Sequence, residues 1–356
     1  MSGVWGRKIK FSIFGESHGK AVGISMDGLK PGLNLDLDKV KFEMNRRVPG
    51  RSKLGTARCE EDNIEILSGL FNGKTTGTPL CAVIYNKDQH SGDYEKTKRQ
   101  MRPSHADYTG FVKYSGFNDY RGGGHFSGRL TAPLVFAGAV CRQILEDKGI
   151  FIGSHIKSIG KIMDRDFIQD VDNDLLKSLK TKSIPVFDEI IESKMEKAIL
   201  TAREEEDSLG GIIECFILNV PAGIGDPFFD SLESSIAHLL FSVPGVKGVE
   251  FGTGFAISEL KGSEANDEFY MEGSNVKTFS NNNGGIIGGI TNGMPVIFRA
   301  AFKPTPSIGK VQRTVNIEEN KNELLQIKGR HDPCIVPRAV PVVEAVAAMA
   351  LLDNIL

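Results

Sequence analysis

The chain has 356 residues, 40% of them apolar and 25% charged, close to the average of soluble globular proteins, which excludes disordered, collagen-like and coiled-coil classes. Its formal net charge of −2 provides no overall field for nucleic acid or an anionic membrane, so any anion must be met by local clusters of Lys and Arg. Glycine is the outlier at 40 residues, which predicts many tight turns or close backbone approaches to a ligand.

In chain order, residues 9–14 and 21–26 read as short strands around a tight turn at Gly15–Gly19, with a further turn from Gly28 to Gly32. Asp36 opens a helix over Asp38 to Asn45 that stops before Pro49–Gly50. Thr131 reads as an N-cap with Pro133 in the first turn, and the apolar run to Ile144 ends at Lys148–Gly149. Residues 188–206 carry apolar side chains at helical spacing beside a solvated charged face. Ile212 to Val220 reads as a strand, Phe229 to Phe241 as a helix, Pro295 to Phe302 as a strand, and Pro337 to Leu352 as a closing helix. The interspersed elements, without repeat or linker, predict one α+β domain over residues 1–356.

The five cysteines, Cys59, Cys81, Cys141, Cys215 and Cys334, have no metal-ligand or redox spacing, so reduced thiols and no metal are expected. Met1 to Phe14 lacks the apolar run of a signal peptide, and the longest apolar stretches, Leu130 to Cys141 and Ala345 to Leu352, are too short to span a bilayer. A cytoplasmic soluble protein without a membrane partner is expected.

Several loop segments stand out, four of them with exposed Arg, His or Asp among Gly and Pro. Gly15-Glu16-Ser17-His18-Gly19 matches the G-x-S-x-G pattern of serine hydrolases, but residues 21–26 after it read as β rather than as the helix an elbow requires. Its glycines read instead as turn residues presenting Ser17 and His18 to a ligand. Residues 46–58 hold Arg46, Arg47, Arg51, Lys53 and Arg58 without an acid; no aromatic is interleaved for base stacking, and Glu60, Glu61 and Asp62 come next, so a small polyanion suits them better than nucleic acid. Arg102-Pro103-Ser104-His105-Ala106-Asp107 sets a histidine beside a cation and near an acid, and with His18 it offers an acid/base pair. Gly122-Gly123-Gly124 precedes a helix and can turn backbone N–H groups toward an anion. Arg330-His331-Asp332 closes the series. Together these loops describe one polyanion pocket, which a phosphate-binding protein without electron chemistry could also use.

These segments, in this order, resemble the chorismate synthase family: GESHG, the Arg-Arg-x-Pro-Gly loop, RPSHADYTG, the triple glycine, GGIIGGITNG at residues 284–293, KPTPSI at 303–308 and GRHDPC at 329–334. The resemblance spans nearly the whole chain. It implies an α+β fold with a β-sandwich core surrounded by helices, a homotetramer and no metal. It also implies reduced FMN bound beside a small phosphate substrate, 5-enolpyruvylshikimate 3-phosphate, from which phosphate is eliminated without net redox change. NADPH would enter only as a reductant of the flavin; without an obvious extra nucleotide-binding unit, external reduction is expected. Carried over by motif, Ser17, Arg47, Lys53, Arg102, Arg129 and Arg330 would bind substrate, His18 and His105 would be acid/base groups, and Asp332 would lie near the flavin. Flavin contacts would come from His125, Phe126, Ser127, Gly288, Lys303, Pro304, Thr305, Pro306, Ser307 and Arg330. Family members commonly have Arg-Ser where this chain has His125-Phe126, arginine at Lys53 and glycine at Ser104. At His125-Phe126, contact mainly through backbone and packing is expected.

Overall fold

The computed structural model describes residues 3–48, 62–87, 98–165, 171–327 and 332–356. Lys53, Cys59, Arg330 and His331 lie outside these residues.

The first sheet is antiparallel, built from β1 (Val4–Trp5), β2 (Lys10–Gly15), β3 (Ala21–Asp27), β4 (Ile64–Ser68) and β5 (Leu80–Tyr85) in the order β1-β2-β3-β5-β4. The second holds β6 (Phe151–Ile159), β7 (Ile162–Met163), β8 (Gly211–Leu218), β9 (Val246–Phe251) and β10 (Val296–Phe302) in the order β9-β10-β8-β6-β7. Seven helices are referred to below: α1 (Leu37–Arg47), α2 (Asp107–Lys113), α3 (Thr131–Glu146), α4 (Asn173–Leu179), α5 (Glu189–Glu204), α6 (Leu232–Ser242) and α7 (Val336–Ile355). An α+β architecture is thus present.

Helices α3 and α7 lie between the sheets. α3 packs on β3 and β5 of the first sheet and on β6 of the second, while α7 packs on α3, β6 and β8. Both are buried almost all round, as a helix between two apolar layers must be. Gly138 permits their close approach, because a Cβ there would lie 2.2 Å from the Ala345 Cβ. One contiguous apolar cluster runs from Ile9 and Met26 through Phe136 and Val346 to Phe298. Asp353, near the end of α7, fixes the chain start, since its buried carboxylate accepts the backbone N–H groups of Arg7, Lys8 and Ile9 at 2.7 to 3.0 Å.

Local chemistry explains most boundaries. Asp36 accepts from the N–H groups of Asp38 and Lys39, and Asp188 from that of Ile190, so each side chain satisfies otherwise orphaned donors at its helix start. Thr131 corrects its expected role: it is the first residue of α3, its hydroxyl donating to the Gly128 carbonyl at 2.6 Å. Ser127 is the cap instead, accepting the Arg129 N–H ahead of a single 3₁₀ turn that leads into α3. The expected helix from Phe229 begins at Leu232, capped by Ser231, and Phe228 and Phe229 stand exposed before it.

The second sheet carries a charge ladder set by strand register. Glu214 faces His155 on one side and Arg299 on the other, and Arg299 reaches Glu250. His155 lies between Asp164 at 3.0 Å and Glu214 at 2.9 Å; both ring nitrogens can donate at once only as an imidazolium.

Candidate active site

The antiparallel order brings four strand ends to one edge of the first sheet: the end of β2, the start of β3, the end of β5 and the start of β4. The turn holding Ser17 and His18 joins β2 to β3 there. It is tied on two sides, by the Ser17 N–H donating to the Gly124 carbonyl at 3.1 Å and by the Asn86 amide donating to the Glu16 and Gly19 carbonyls at 3.0 and 2.8 Å. His18 is buried within it. The Ser17 hydroxyl lies 3.1 Å from His18 Nδ1 and 3.3 Å from the Arg121 carbonyl. A hydroxyl has one proton, so when Ser17 donates to the carbonyl it accepts from an Nδ1–H of His18.

The triple glycine is the meeting place of the two histidines. Gly122 and Gly123 have φ of +60° and +89°, and a Cβ on Gly122 would fall 2.1 Å from the His18 ring. A Cβ on Gly123 would fall 3.1 Å from the His105 ring. Adjacent residues of one loop therefore touch both imidazoles, and only glycine gives the backbone conformation and the room.

His105 is oriented by Asp107, at the start of α2, whose carboxylate lies 2.6 Å from Nδ1. Arg102 embraces the same carboxylate through Nε at 2.7 Å and Nη2 at 2.8 Å. Burial pushes the Asp107 carboxyl up, but the hydrogen bonds and charges of Arg102 and His105 outweigh it and hold it well below the usual carboxylate range. Arg102 Nη2 is also 3.2 Å from His105 Nδ1, yet one nitrogen cannot both accept from arginine and donate to the acid. The short contact to an ionised carboxylate fixes Nδ1 as donor, leaving Nε2 uncommitted to Asp107 and facing Gly123. With its folded pKa depressed, Asp107 contributes stability above the unfolded value of about 4, and that contribution is lost as pH falls through the folded pKa.

Ser104, where glycine is usual in the resembled family, has φ +59°, which explains the glycine preference there. Its carbonyl accepts from Lys303 Nζ, tying the Lys303–Ser307 segment to the His105 loop. Within that segment Ser208 Oγ donates to the Thr305 carbonyl at 2.7 Å, while the Thr305 hydroxyl is buried without a partner among the described residues.

On the other side of the His18 turn, Arg47 ends α1 and Arg129 precedes α3. Both contact Asp62, just before β4: Arg47 through Nε at 2.9 Å and through Nη2, Arg129 through Nη1. Arg129 Nε also donates to Asn86 at 3.0 Å. Asp332 pairs with Arg338 Nη1, and Arg338 Nε donates to the Arg47 carbonyl at 3.1 Å. Burial raises the Asp62 carboxyl, but Arg47 and Arg129 outweigh it and keep it ionised.

Of the residues expected from sequence, Ser17, His18, Arg47, Arg102, His105, Arg129 and Lys303 are therefore linked through this network, and Asp332 joins it through Arg338. Gly288 is not linked to it: it sits at the tip of the Ile286–Thr291 hairpin, which packs on Gly225 and Leu232. The His125 ring turns back on the His18 turn, 2.8 Å from the Gly15 carbonyl, which only an Nδ1–H can satisfy. Phe126 packs on α2, where a Cβ on Gly110 would lie 2.7 Å from its ring, and beside Tyr114 at 6.2 Å. Sequence reasoning misses Asp62, Asn86 and Arg338 as site residues, because each acts on a partner distant in the chain. Since His125 is occupied locally, His125→Ala is expected to weaken binding of the FMN implied by the resemblance less than about tenfold, roughly 1.4 kcal/mol, with little change in any FMN-dependent kcat at saturating FMN. Fluorescence titration checks this, and a larger loss would assign His125 a direct charged contact.

A chorismate synthase family model matches residues 9–356. The chain is 47% identical over 353 residues to a chorismate synthase of Dehalococcoides mccartyi, covering 99% of this chain and 96% of that protein. It is 48% identical to the chorismate synthase of Pyrococcus abyssi, covering 99% and 97%. A solved chorismate synthase crystal structure superposes with a TM-score of 0.77 at 31% identity, covering 98% of this chain and 92% of that one. With the motifs in order and the fold shared, the chain belongs to the chorismate synthase family.

Proposed function

We propose that the chain eliminates phosphate from 5-enolpyruvylshikimate 3-phosphate to give chorismate, in an anti-1,4 sense with reduced FMN and no net redox change. The observation that carries the reading is the convergence of His18 and His105 on one glycine run beside the Arg47–Arg129 pair. A paired acid/base set and a cationic pocket are what expulsion of a phosphate requires.

The Lys303–Ser307 segment suits the flavin, because the buried, unpartnered Thr305 hydroxyl needs a polar partner. Residues 303–307 would hold reduced FMN, whose chemistry when bound would be transient electron donation that lets phosphate leave together with a hydrogen that is not acidic in the ground state. Arg47, Arg102 and Arg129, with Lys53 and Arg330, neutralise the departing phosphate, each close pair contributing roughly 4 kcal/mol at an effective dielectric of 20 before desolvation. One of His18 and His105 would give a proton to a phosphate oxygen and the other would hold one beside the cofactor, near which the resemblance puts Asp332. Ser17 binds substrate while orienting His18. His125, Phe126, Ser127, Pro304, Pro306 and Ser307 would border the flavin, whereas Gly288, apart on the Ile286–Thr291 hairpin, is carried over on the resemblance alone.

The contiguous core supports a single domain, and exposed Phe255, Phe269, Met271 and Phe279 support association into a homotetramer. None of the described helices is long and apolar enough to cross a membrane. On the same reading the enzyme is cytoplasmic, with its flavin reduced externally and NADPH serving only as reductant. Anaerobic turnover tests the reaction: chorismate should form with reduced FMN and leave its spectrum unchanged. Full activity with oxidised FMN, or one flavin oxidised per turnover, would refute the mechanism.

A further inference from the structure

We propose that Asp62 is a positioning residue for the phosphate end of the site, setting the spacing and direction of Arg47 and Arg129 by giving one carboxylate oxygen to each. The inference rests on the reading that these two arginines receive phosphate.

The carboxylate is fully buried, with Oδ2 toward Nε and Nη2 of Arg47 and Oδ1 toward Nη1 of Arg129. The two arginines come from separate elements, the last turn of α1 and the turn before α3, so neither backbone fixes their mutual distance. Left alone, two buried guanidiniums repel each other. Burial itself depresses the proton affinity of Arg47, Arg338 and Arg129 act in the same direction, and Asp62 opposes them. Asp62 is placed by the sheet: it stands two residues before β4, and the register Ile64↔Ile84 sets it at the same edge as Asn86, just after β5. Asn86 binds Arg129 Nε with its side-chain oxygen and the Glu16 and Gly19 carbonyls with its amide. The clamp thereby keeps the arginine pair in register with the turn that carries His18.

Both Asp62 oxygens face arginine, and both arginines favour its ionised form. It is therefore an acceptor throughout and has no proton to give or take in the reaction. Its effect passes through the two cations, which marks it as positioning rather than catalytic.

The test uses the full chain and inorganic phosphate, whose binding is read by calorimetry without turnover. Asp62→Asn turns an amide N–H₂ toward an arginine and is expected to weaken phosphate binding at least tenfold. FMN affinity should move less than threefold, because the flavin segment does not contact Asp62. Asp62→Glu keeps the charge but displaces both oxygens by a methylene, so it should recover only part of the loss and stay at least threefold weaker than wild type. Wild-type phosphate affinity in folded Asp62→Asn, equal losses of phosphate and FMN affinity, or no phosphate binding by wild type would overturn the proposal. Should Asp62→Asn fail to fold, Asp62→Glu decides, and wild-type phosphate affinity in that variant overturns it. A wild-type protein that forms no chorismate yet binds phosphate through this clamp would refute the proposed reaction and leave the role of Asp62 standing.

Discussion

Glu344→Gln is expected to destabilise the protein by about 3–5 kcal/mol, the range found when one partner is removed from a buried ion pair. Glu344 projects from α7 with no exposed side-chain surface and takes Arg46 of α1 on both oxygens and Arg142 of α3 at 2.8 Å. Glu43 of α1 takes Arg46 at 2.6 Å and also Arg142, and Lys180 lies 3.4 Å away. Three cations thus share two acids at the junction of three helices, and loss of Glu344 would leave Glu43 to balance all three. Burial raises the Glu344 carboxyl, but Arg46, Arg142 and Lys180 outweigh it and depress its pKa, as the same cations do for Glu43. Such groups add stability above their unfolded value of about 4.3, and it is lost as pH falls through their folded values. Urea unfolding from pH 7 to pH 3 checks both points, with the wild type losing more than the variant on acidification. A difference under about 1 kcal/mol at pH 7 would show that water or rearrangement compensates the missing charge.

Features that depend on near neighbours in the chain are legible in the sequence itself. Asp36 and Asp188 cap the helices they precede, and the strands around Gly15–Gly19 pair as a hairpin. The histidine, its arginine and its acid lie within six residues, 102 to 107, so their meeting can be anticipated. The placement of α3 and α7 between the sheets also has a sequence signal, apolar side chains on every face of runs too short to cross a bilayer. What sequence does not provide is the partner of each buried charge. Asp62 comes after two glutamates in a run that reads as a solvated acidic end, and only the register of β4 on β5 turns it toward two arginines. The triple glycine is legible as a loop for anions, but its role in admitting both imidazole rings depends on tertiary contacts, that of Gly122 with His18 reaching far back along the chain.

Replacement of His105 by alanine is expected to lower kcat by about 10²-fold or more, the usual scale for loss of a positioned acid/base group. The geometry makes this group hard to replace, because its Nδ1 is committed to Asp107 and its Nε2 is aimed at the glycine run that also touches His18. Water entering the vacated space would have no such orientation. Asp107→Asn should have a comparable effect by another route: the amide offers Nδ1 a weaker acceptor and releases Arg102, so KM should rise as well as kcat fall. The two variants are thus distinguished by KM, which His105→Ala should leave within a few fold. The His105 variant should also lose one limb of the pH–rate profile, whereas His18→Ala should lose the other. Steady-state kinetics with excess reduced FMN across pH 6 to 9 would read these differences. An unaltered pH profile in both histidine variants would make the histidines structural and move the proton transfers to Asp332 and water.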